Sequence, residues 1–145
     1  MTSVIPLHDI KVEESYPVIL SNRGVYLGGW KRGMRDGKGT MDWPDGSRYV
    51  GDWVSDKAHG YGIMFHSNGD KYEGYWVEDK ADGKGNYTHF NGSRYSGFWL
   101  DDKQHGFGKE TWQDGAVYEG DYYLGKKHGK GKMIFADGSI YEGSF

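Results

Sequence analysis

The side chains best suited to catalysis or metal binding recur along the chain at equivalent positions. His59, His105 and His128 each follow a regularly spaced tyrosine by ten residues. If each repeat contributes two strands, neighbouring repeats advance by about 10 Å, whereas zinc–nitrogen bonds measure roughly 2.0–2.1 Å. We therefore expect these histidines to form loop hydrogen bonds, and the sequence predicts no metal site.

Two other patterns have the appearance of catalytic motifs without the surroundings that catalysis needs. Gly-Lys-Gly stretches begin at Gly37, Gly83 and Gly129. A phosphate-binding loop needs a following helix, and no helix-forming segment follows any of them. Asp101 and Asp102 lack the desolvating pocket that raises the pKa of a catalytic carboxyl group. The chain has no cysteine, which excludes thiolate catalysis, so we predict a non-enzymatic protein without catalytic residues or a cofactor.

The composition favours β-structure built on aromatic side chains. The 145 residues include 24 aromatic rings (12 Tyr, 6 Trp and 6 Phe) against 19 Leu, Ile and Val. Because each interior glycine costs a helix about 1 kcal/mol, the 25 glycines exclude a helix bundle. A net charge of −3 provides no basic face for nucleic acid. The opening residues lack the features of a secretion signal, and no stretch approaches the ~20 apolar residues of a membrane helix, so we expect an intracellular protein.

One period of 23 residues organises the chain. It separates the tyrosines Tyr26, Tyr49, Tyr72, Tyr95, Tyr118 and Tyr141. A glycine lies two residues after each of them, and a large ring lies four residues after, at Trp30, Trp53, Trp76, Trp99, Tyr122 and Phe145. A Gly-x-Gly pair and then an Asp-Gly or Asn-Gly step follow in each full repeat. The alternation predicts one β-hairpin per repeat, with the rings on one face and Asp-Gly turns between hairpins.

The need for space beside the rings suggests a register. Within a hairpin we expect ring and glycine positions to face glycine or methionine, with Trp53 opposite Gly60, Gly51 opposite Gly62, and Tyr49 opposite Met64. A three-residue turn at residues 44–46 would place the next contacts at Tyr49 with Met41 and Trp53 with Gly37. Every Gly-x-Gly strand would then lie between rings, as in the aromatic rescue of strand glycines.

These residues and their spacing closely resemble the MORN (membrane occupation and recognition nexus) repeat. The resemblance covers residues 26–48, 49–71, 72–94, 95–117 and 118–140, with a partial repeat at 141–145. It implies an all-β fold, an elongated single-layer antiparallel sheet that twists and curves around an aromatic-lined groove. Members of the family are scaffolds in cilia and at cytoskeletal or membrane junctions, and others are regulatory modules fused to lipid kinases or a protein methyltransferase. The resemblance also implies that the repeat itself is not catalytic.

We divide the chain into an N-terminal extension, residues 1–24, and a repeat domain, residues 25–145. A stack of repeats needs covered ends, and apolar residues 4–7 and 16–20 could cover the first repeat. The chain stops at Phe145 in mid-hairpin, so we expect either a partner at that edge or a longer natural protein.

Positions that differ between repeats are the candidates for function. Seven residues form an apolar patch on the face opposite the repeated rings, namely Val50, Tyr61, Ile63, Phe65, Tyr75, Phe98 and Phe107. Such a patch on a soluble protein usually marks a contact site, so we predict that it binds a partner protein. Two alternatives remain open. The N-terminal segment could cover the patch, or an amphipathic helix could bind in the ring-lined groove instead.

Charge varies along the chain, and one cluster suggests a second class of function. Lys126, Lys127, Lys130 and Lys132 lie close together in repeat 5, where they could contact membrane lipid. Our favoured interpretation is a protein-binding scaffold within a large cytoskeletal, ciliary or axonemal assembly. The alternative is a membrane- or phosphoinositide-associated regulatory module of a larger protein, such as a phosphatidylinositol phosphate kinase.

Overall fold

The computed structural model describes residues 16–145, which form one antiparallel sheet without a helix. Its twelve strands follow one another in chain order, and each pairs with its neighbours in sequence. They are β1 Val18–Ile19, β2 Val25–Lys31, β3 Met34–Asp42, β4 Arg48–Val54, β5 Lys57–Phe65, β6 Lys71–Val77, β7 Lys80–Thr88, β8 Arg94–Leu100, β9 Lys103–Thr111, β10 Val117–Tyr123, β11 Lys126–Ile134 and β12 Ile140–Ser144. The predicted all-β sheet of tandem hairpins is confirmed.

Two kinds of turn alternate along the sheet. Ser55 and Asp56 connect β4 to β5 with φ of 48° and 71°, the left-handed pair that a two-residue hairpin turn requires. Between β3 and β4, the N–H of Trp43 donates to the carbonyl of Ser47 at 3.0 Å, which closes a longer turn around residues 44–46. The Asp45 carboxylate accepts the N–H of Ser47 at 2.8 Å, as expected for an Asp-Gly turn.

The predicted register is correct except at the tryptophan within each hairpin. The four predicted pairs that hold are Tyr49–Met64, Gly51–Gly62, Tyr49–Met41 and Trp53–Gly37. Trp53 lies opposite Ala58 instead of Gly60. The two-residue turn lets pairing continue to Val54 and Lys57, so residues 59–61 bulge opposite Asp52.

The repeated tyrosines form the buried core of the ring face, which we define as the face that carries the repeated Tyr and Trp rings. Tyr49 is 1% exposed and packs edge-to-face between Trp53 and Trp76, with centroid distances of 5.1 and 5.3 Å. Its hydroxyl donates to the carbonyl of Asp52 at 2.8 Å. The same arrangement recurs around Tyr26, where burial raises the pKa to about 12. Each repeat therefore contributes rings to a core shared with the next repeat.

The two glycines of a Gly-x-Gly pair have different roles. The Tyr72 ring covers Gly85, so a methyl group there would lie 2.5 Å from Cζ of the ring. The first glycine of an equivalent pair, Gly60, is instead at the bulge with φ of +109°, which L side chains rarely adopt. The expectation that rings cover both glycines of a pair is therefore wrong for the first glycine. Glycine is needed at that position because of the backbone conformation.

Aspartates in the two-residue turns join consecutive repeats. Asp79 Oδ1 accepts the N–H of Ala58 at 2.8 Å, while its own N–H donates to the carbonyl of Ala58 at 2.9 Å. Asp102 bonds to Ala81 in the same way. The side-chain bond is lost where glycine replaces aspartate at Gly125, whose N–H still donates to the carbonyl of Gln104.

Candidate functional site

The seven residues predicted to form a partner-binding patch lie in rows that run across the strands on the outer face, which we define as the face opposite the repeated rings. Tyr61 pairs with Tyr75, and Val50 pairs with Ile63, on adjacent strands. Farther along the sheet, after the exposed Lys84 on β7, Phe98 on β8 and Phe107 on β9 continue the row that Tyr61 begins. Regular pairing therefore brings together residues that are separated by up to 57 positions in the chain.

The aromatic members of this patch remain open to solvent. The exposed fractions are 42% for Tyr61, 51% for Tyr75, 49% for Phe98 and 56% for Phe107. Tyr61 and Tyr75 contact each other edge-to-face at 5.5 Å. The Lys38–Asp52 ion pair borders the row on one side. The result is a strip of exposed rings with a charged border.

The N-terminal part of the described chain does not cover the patch. Val18 and Ile19 of β1 pair with β2 at the edge of the sheet, and Leu20 packs against the ring-face core. Ile19 is 74% exposed. The alternative in which residues 16–20 cover the patch is therefore wrong, because these residues extend the sheet instead. Residues 4–7, the other predicted cover, lie outside the described residues.

The four lysines that suggested lipid contact do not form one basic surface. Lys127 lies on the ring face, where its Nζ is 4.9 Å from the Trp112 ring and 5.3 Å from the Tyr118 ring. Lys130 and Lys132 line a depression on the outer face together with the acidic side chains Glu119, Asp121 and Glu142. Lys126 is at the start of β11, paired with Tyr123. Strand alternation separates neighbours in sequence, and acidic neighbours offset the charge of Lys130 and Lys132.

The ring face carries a groove of about 500 Å³ over the middle repeats. Its walls are mainly the aromatic side chains Trp43, Tyr49, Trp53, His66, Tyr72, Trp76, Tyr87 and Trp99. The charged residues that line it are Asp79 and Asp102, from the two-residue turns. This is the groove that the sequence predicted as a competing binding surface.

A polar cluster at this groove was missed by the sequence analysis. Asp70 is buried, and its carboxylate accepts the hydroxyl of Tyr87 at 2.6 Å and the N–H of Phe90 at 2.9 Å. His89 Nδ1 lies 3.4 Å from the same carboxylate. The Tyr87 hydroxyl is the largest of the interactions that hold the pKa of Asp70 below its usual value. The sequence does distinguish these two residues, because Tyr87 and Asp70 occupy positions where other repeats have methionine and serine.

A second pair of departures from the repeat also proves to be coupled. Tyr122 replaces the repeated tryptophan, and Glu110 replaces the methionine found at Met41. The hydroxyl of Tyr122 donates to Oε1 of Glu110 at 2.6 Å. Burial, followed by this hydrogen bond, raises the pKa of Tyr122 far above its usual value, so it remains a donor. The two substitutions together exchange an apolar contact for a hydrogen bond.

Two of the histidines first considered for chemistry form hydrogen bonds with the two-residue turn of the following repeat. His59 Nδ1 accepts the N–H of Glu78 at 3.4 Å, and His105 Nδ1 accepts that of Leu124 at 3.2 Å. Asp102 joins repeats as described above. Within residues 16–145, no three His, Cys, Asp or Glu side chains are grouped closely enough to bind a metal ion. The same part of the chain contains no helix with the length and hydropathy to span a membrane.

Comparison with known proteins agrees with the repeat pattern. The family model for the MORN repeat matches residues 26–48, 49–71, 72–94, 95–117 and 118–140. A search of curated proteins finds no match. Among solved structures, one similar chain is the SAS-4 (dCPAP) TCP domain from Drosophila melanogaster, in complex with a proline-rich motif of Ana2 (dSTIL). It is 13% identical, with a TM-score of 0.47, and the alignment covers 97% of this chain and 70% of that chain. Similarity at that level supports no argument about partners.

Proposed function

The chain belongs to the MORN repeat family, and on this premise we propose that it is a non-enzymatic scaffold whose outer face binds another protein. The repeats account for residues 26–140, which leaves little of the described chain for a separate catalytic unit. The observation that carries the proposal is the strip of exposed rings formed by Tyr61, Tyr75, Phe98 and Phe107.

Exposed aromatic rings favour a protein partner because of what they contribute on burial. Aromatic residues are enriched at protein interfaces, and each ring buries a large apolar area with few rotatable bonds to restrict. At roughly 25 cal/mol per Å², complete burial of the exposed parts of several rings would stabilise a complex by several kcal/mol. The ion pair between Lys38 and Asp52 would lie at the polar rim of such an interface.

A membrane-associated module is the weaker proposal. Attraction to an anionic membrane is worth about 1 kcal/mol per basic residue near the surface, so it needs several lysines on one side. Lys127 belongs to the ring face, while Lys130 and Lys132 share the outer face with Glu119 and Glu142. Placement of the scaffold in the cytoskeleton, a cilium or an axoneme is a further proposal that rests on the family resemblance alone.

The experiment compares proteins recovered by proximity labelling in cells that express matched variants. Phe98→Asp places a charge within the strip of rings, and Asn86→Asp places one on the outer face among polar neighbours. We expect a partner that is labelled by the parent chain and by Asn86→Asp but lost with Phe98→Asp, while the melting temperatures of all three agree.

Two outcomes would contradict this proposal. Labelling that is equal for Phe98→Asp and Asn86→Asp would exclude the strip as the binding surface. Co-sedimentation with phosphoinositide vesicles that is lost in Lys130→Glu/Lys132→Glu would instead support the membrane module.

A further inference from the structure

We propose that a pocket on the ring face, formed by Tyr87, Trp99 and Glu110, binds a lysine or arginine side chain presented by an apolar segment of a partner protein. This pocket lies on the opposite face from the strip of exposed rings. Failure of one proposal therefore leaves the other intact.

The pocket exists because repeats 3 and 4 depart from the repeat pattern. It measures about 130 Å³, well above the roughly 10–15 Å³ that one water molecule needs. Tyr87 and Trp99 form aromatic walls with centroids 6.2 Å apart, and the Glu110 carboxylate contributes the negative charge. In the other repeats methionine occupies the positions of Tyr87 and Glu110, at Met41, Met64 and Met133.

Glu110 retains the capacity to bind a cation. Its Oε1 accepts the hydroxyl of Tyr122 at 2.6 Å, and its second carboxylate oxygen has no hydrogen-bond or ion-pair partner within residues 16–145. Arg94 and His89 also line the pocket, and within residues 16–145 no ion pair joins either of them to Glu110. A cation beside Glu110 would also face the π-systems of Tyr87 and Trp99, which attract positive charge.

The surroundings indicate that this cation belongs to a longer apolar segment. Tyr87 and Trp99 also line the groove of about 500 Å³, so the pocket adjoins it. The groove is apolar, and the carboxylates of Asp79 and Asp102 are at its border without a lysine or arginine among the residues that line it. Repeats 2, 3 and 4 carry net charges of −1, −1 and −2. An occupant with apolar side chains and a basic residue complements both the lining and the charge.

The test uses two blocked peptides of alternating leucine and serine, one with a central lysine and the other with norleucine at that position. The indole N–H signal of Trp99 in isotope-labelled protein reports binding, because its Nε1 donates to the carbonyl of Gly85 beside the pocket. A charge-assisted hydrogen bond is worth ~1.5–3 kcal/mol, so we expect the lysine peptide to bind at least about tenfold more tightly.

Variants of Glu110 distinguish this pocket from general attraction to an acidic protein. Glu110→Met restores the residue of other repeats, and Glu110→Gln keeps an acceptor for Tyr122, so both should fold. Each should abolish the preference for lysine, whereas Glu119→Gln on the outer face should preserve it. Equal affinity for the two peptides, preserved lysine preference in Glu110→Met, or no response of the Trp99 signal to the lysine peptide would each overturn the proposal.

Discussion

Substitution of Gly85 by alanine tests whether rings packed on bare backbone hold the repeats together. A methyl group at Gly85 would overlap the Tyr72 ring, with Cζ at 2.5 Å and Cε2 at 2.6 Å. Tyr72 cannot move aside easily, because Trp76 and Trp99 pack against it at 5.1 and 5.3 Å. Its hydroxyl is also bonded to the carbonyl of Tyr75 at 2.9 Å.

The expected cost lies between two limits. If the ring shifts within the core, overpacking costs about 1–3 kcal/mol. If the ring is expelled, the loss approaches the ~3–5 kcal/mol of a large aromatic truncation. We therefore expect Gly85→Ala to lower the free energy of unfolding by about 1–5 kcal/mol, measured by urea denaturation with fluorescence and circular dichroism as independent probes.

The second half of the experiment repeats the substitution in a Tyr72→Leu background. Leucine lacks Cε2, Cζ and the hydroxyl, the atoms that the methyl group would overlap. In that background we expect Gly85→Ala to be neutral or stabilising, because alanine is favoured over glycine in a strand. The control, Gly92→Ala, has φ of +95° and open space around it, so its cost should be the same in both backgrounds. A cost for Gly85→Ala that is also unchanged between backgrounds would refute ring-over-glycine packing.

Two further perturbations test contacts between repeats. Asp79→Ala removes the acceptor for the N–H of Ala58 and should cost about 1–3 kcal/mol in urea denaturation, whereas Asp79→Asn keeps an acceptor and should cost much less. Equal losses would show that the side-chain bond does not join the repeats. Because the hydrogen bond from Tyr87 holds the folded-state pKa of Asp70 below its usual value, its stabilisation is complete above the unfolded-state pKa and is lost as pH falls through the folded pKa. Asp70→Asn should therefore reduce the fall in urea midpoint between about pH 6 and pH 3, and an unchanged fall would exclude this contribution.

Much of this fold could be predicted because its contacts are local and periodic. Each strand pairs with the strands next to it in the chain, so a period of 23 residues fixes neighbours as well as elements. The alternation of Tyr49, Gly51 and Trp53 identified the ring face, since side chains in a strand alternate between faces. The Trp53 register could not be predicted in the same way. It depends on the left-handed pair Ser55 and Asp56, and serine is not a residue that favours that conformation.

The candidate binding surfaces could also be predicted from the sequence only in part. The residues of the outer patch could be assigned to one face from alternation alone, but that left open whether the N-terminal segment covers them. The lysines at residues 126–132 are close in sequence, but Lys127 lies on the ring face and Lys130 and Lys132 lie on the outer face, because successive side chains of a strand point to opposite faces.

The sequence by itself determined the period, the hairpins and the replacement of an aliphatic core by rings over glycine. The tertiary structure decided which departures from the period act together. Tyr87 reaches Asp70 and Tyr122 reaches Glu110 across neighbouring strands, at separations of 17 and 12 residues. Such hydrogen bonds depend on the length and direction of the two side chains. The pattern of residue types along the chain does not specify either of these.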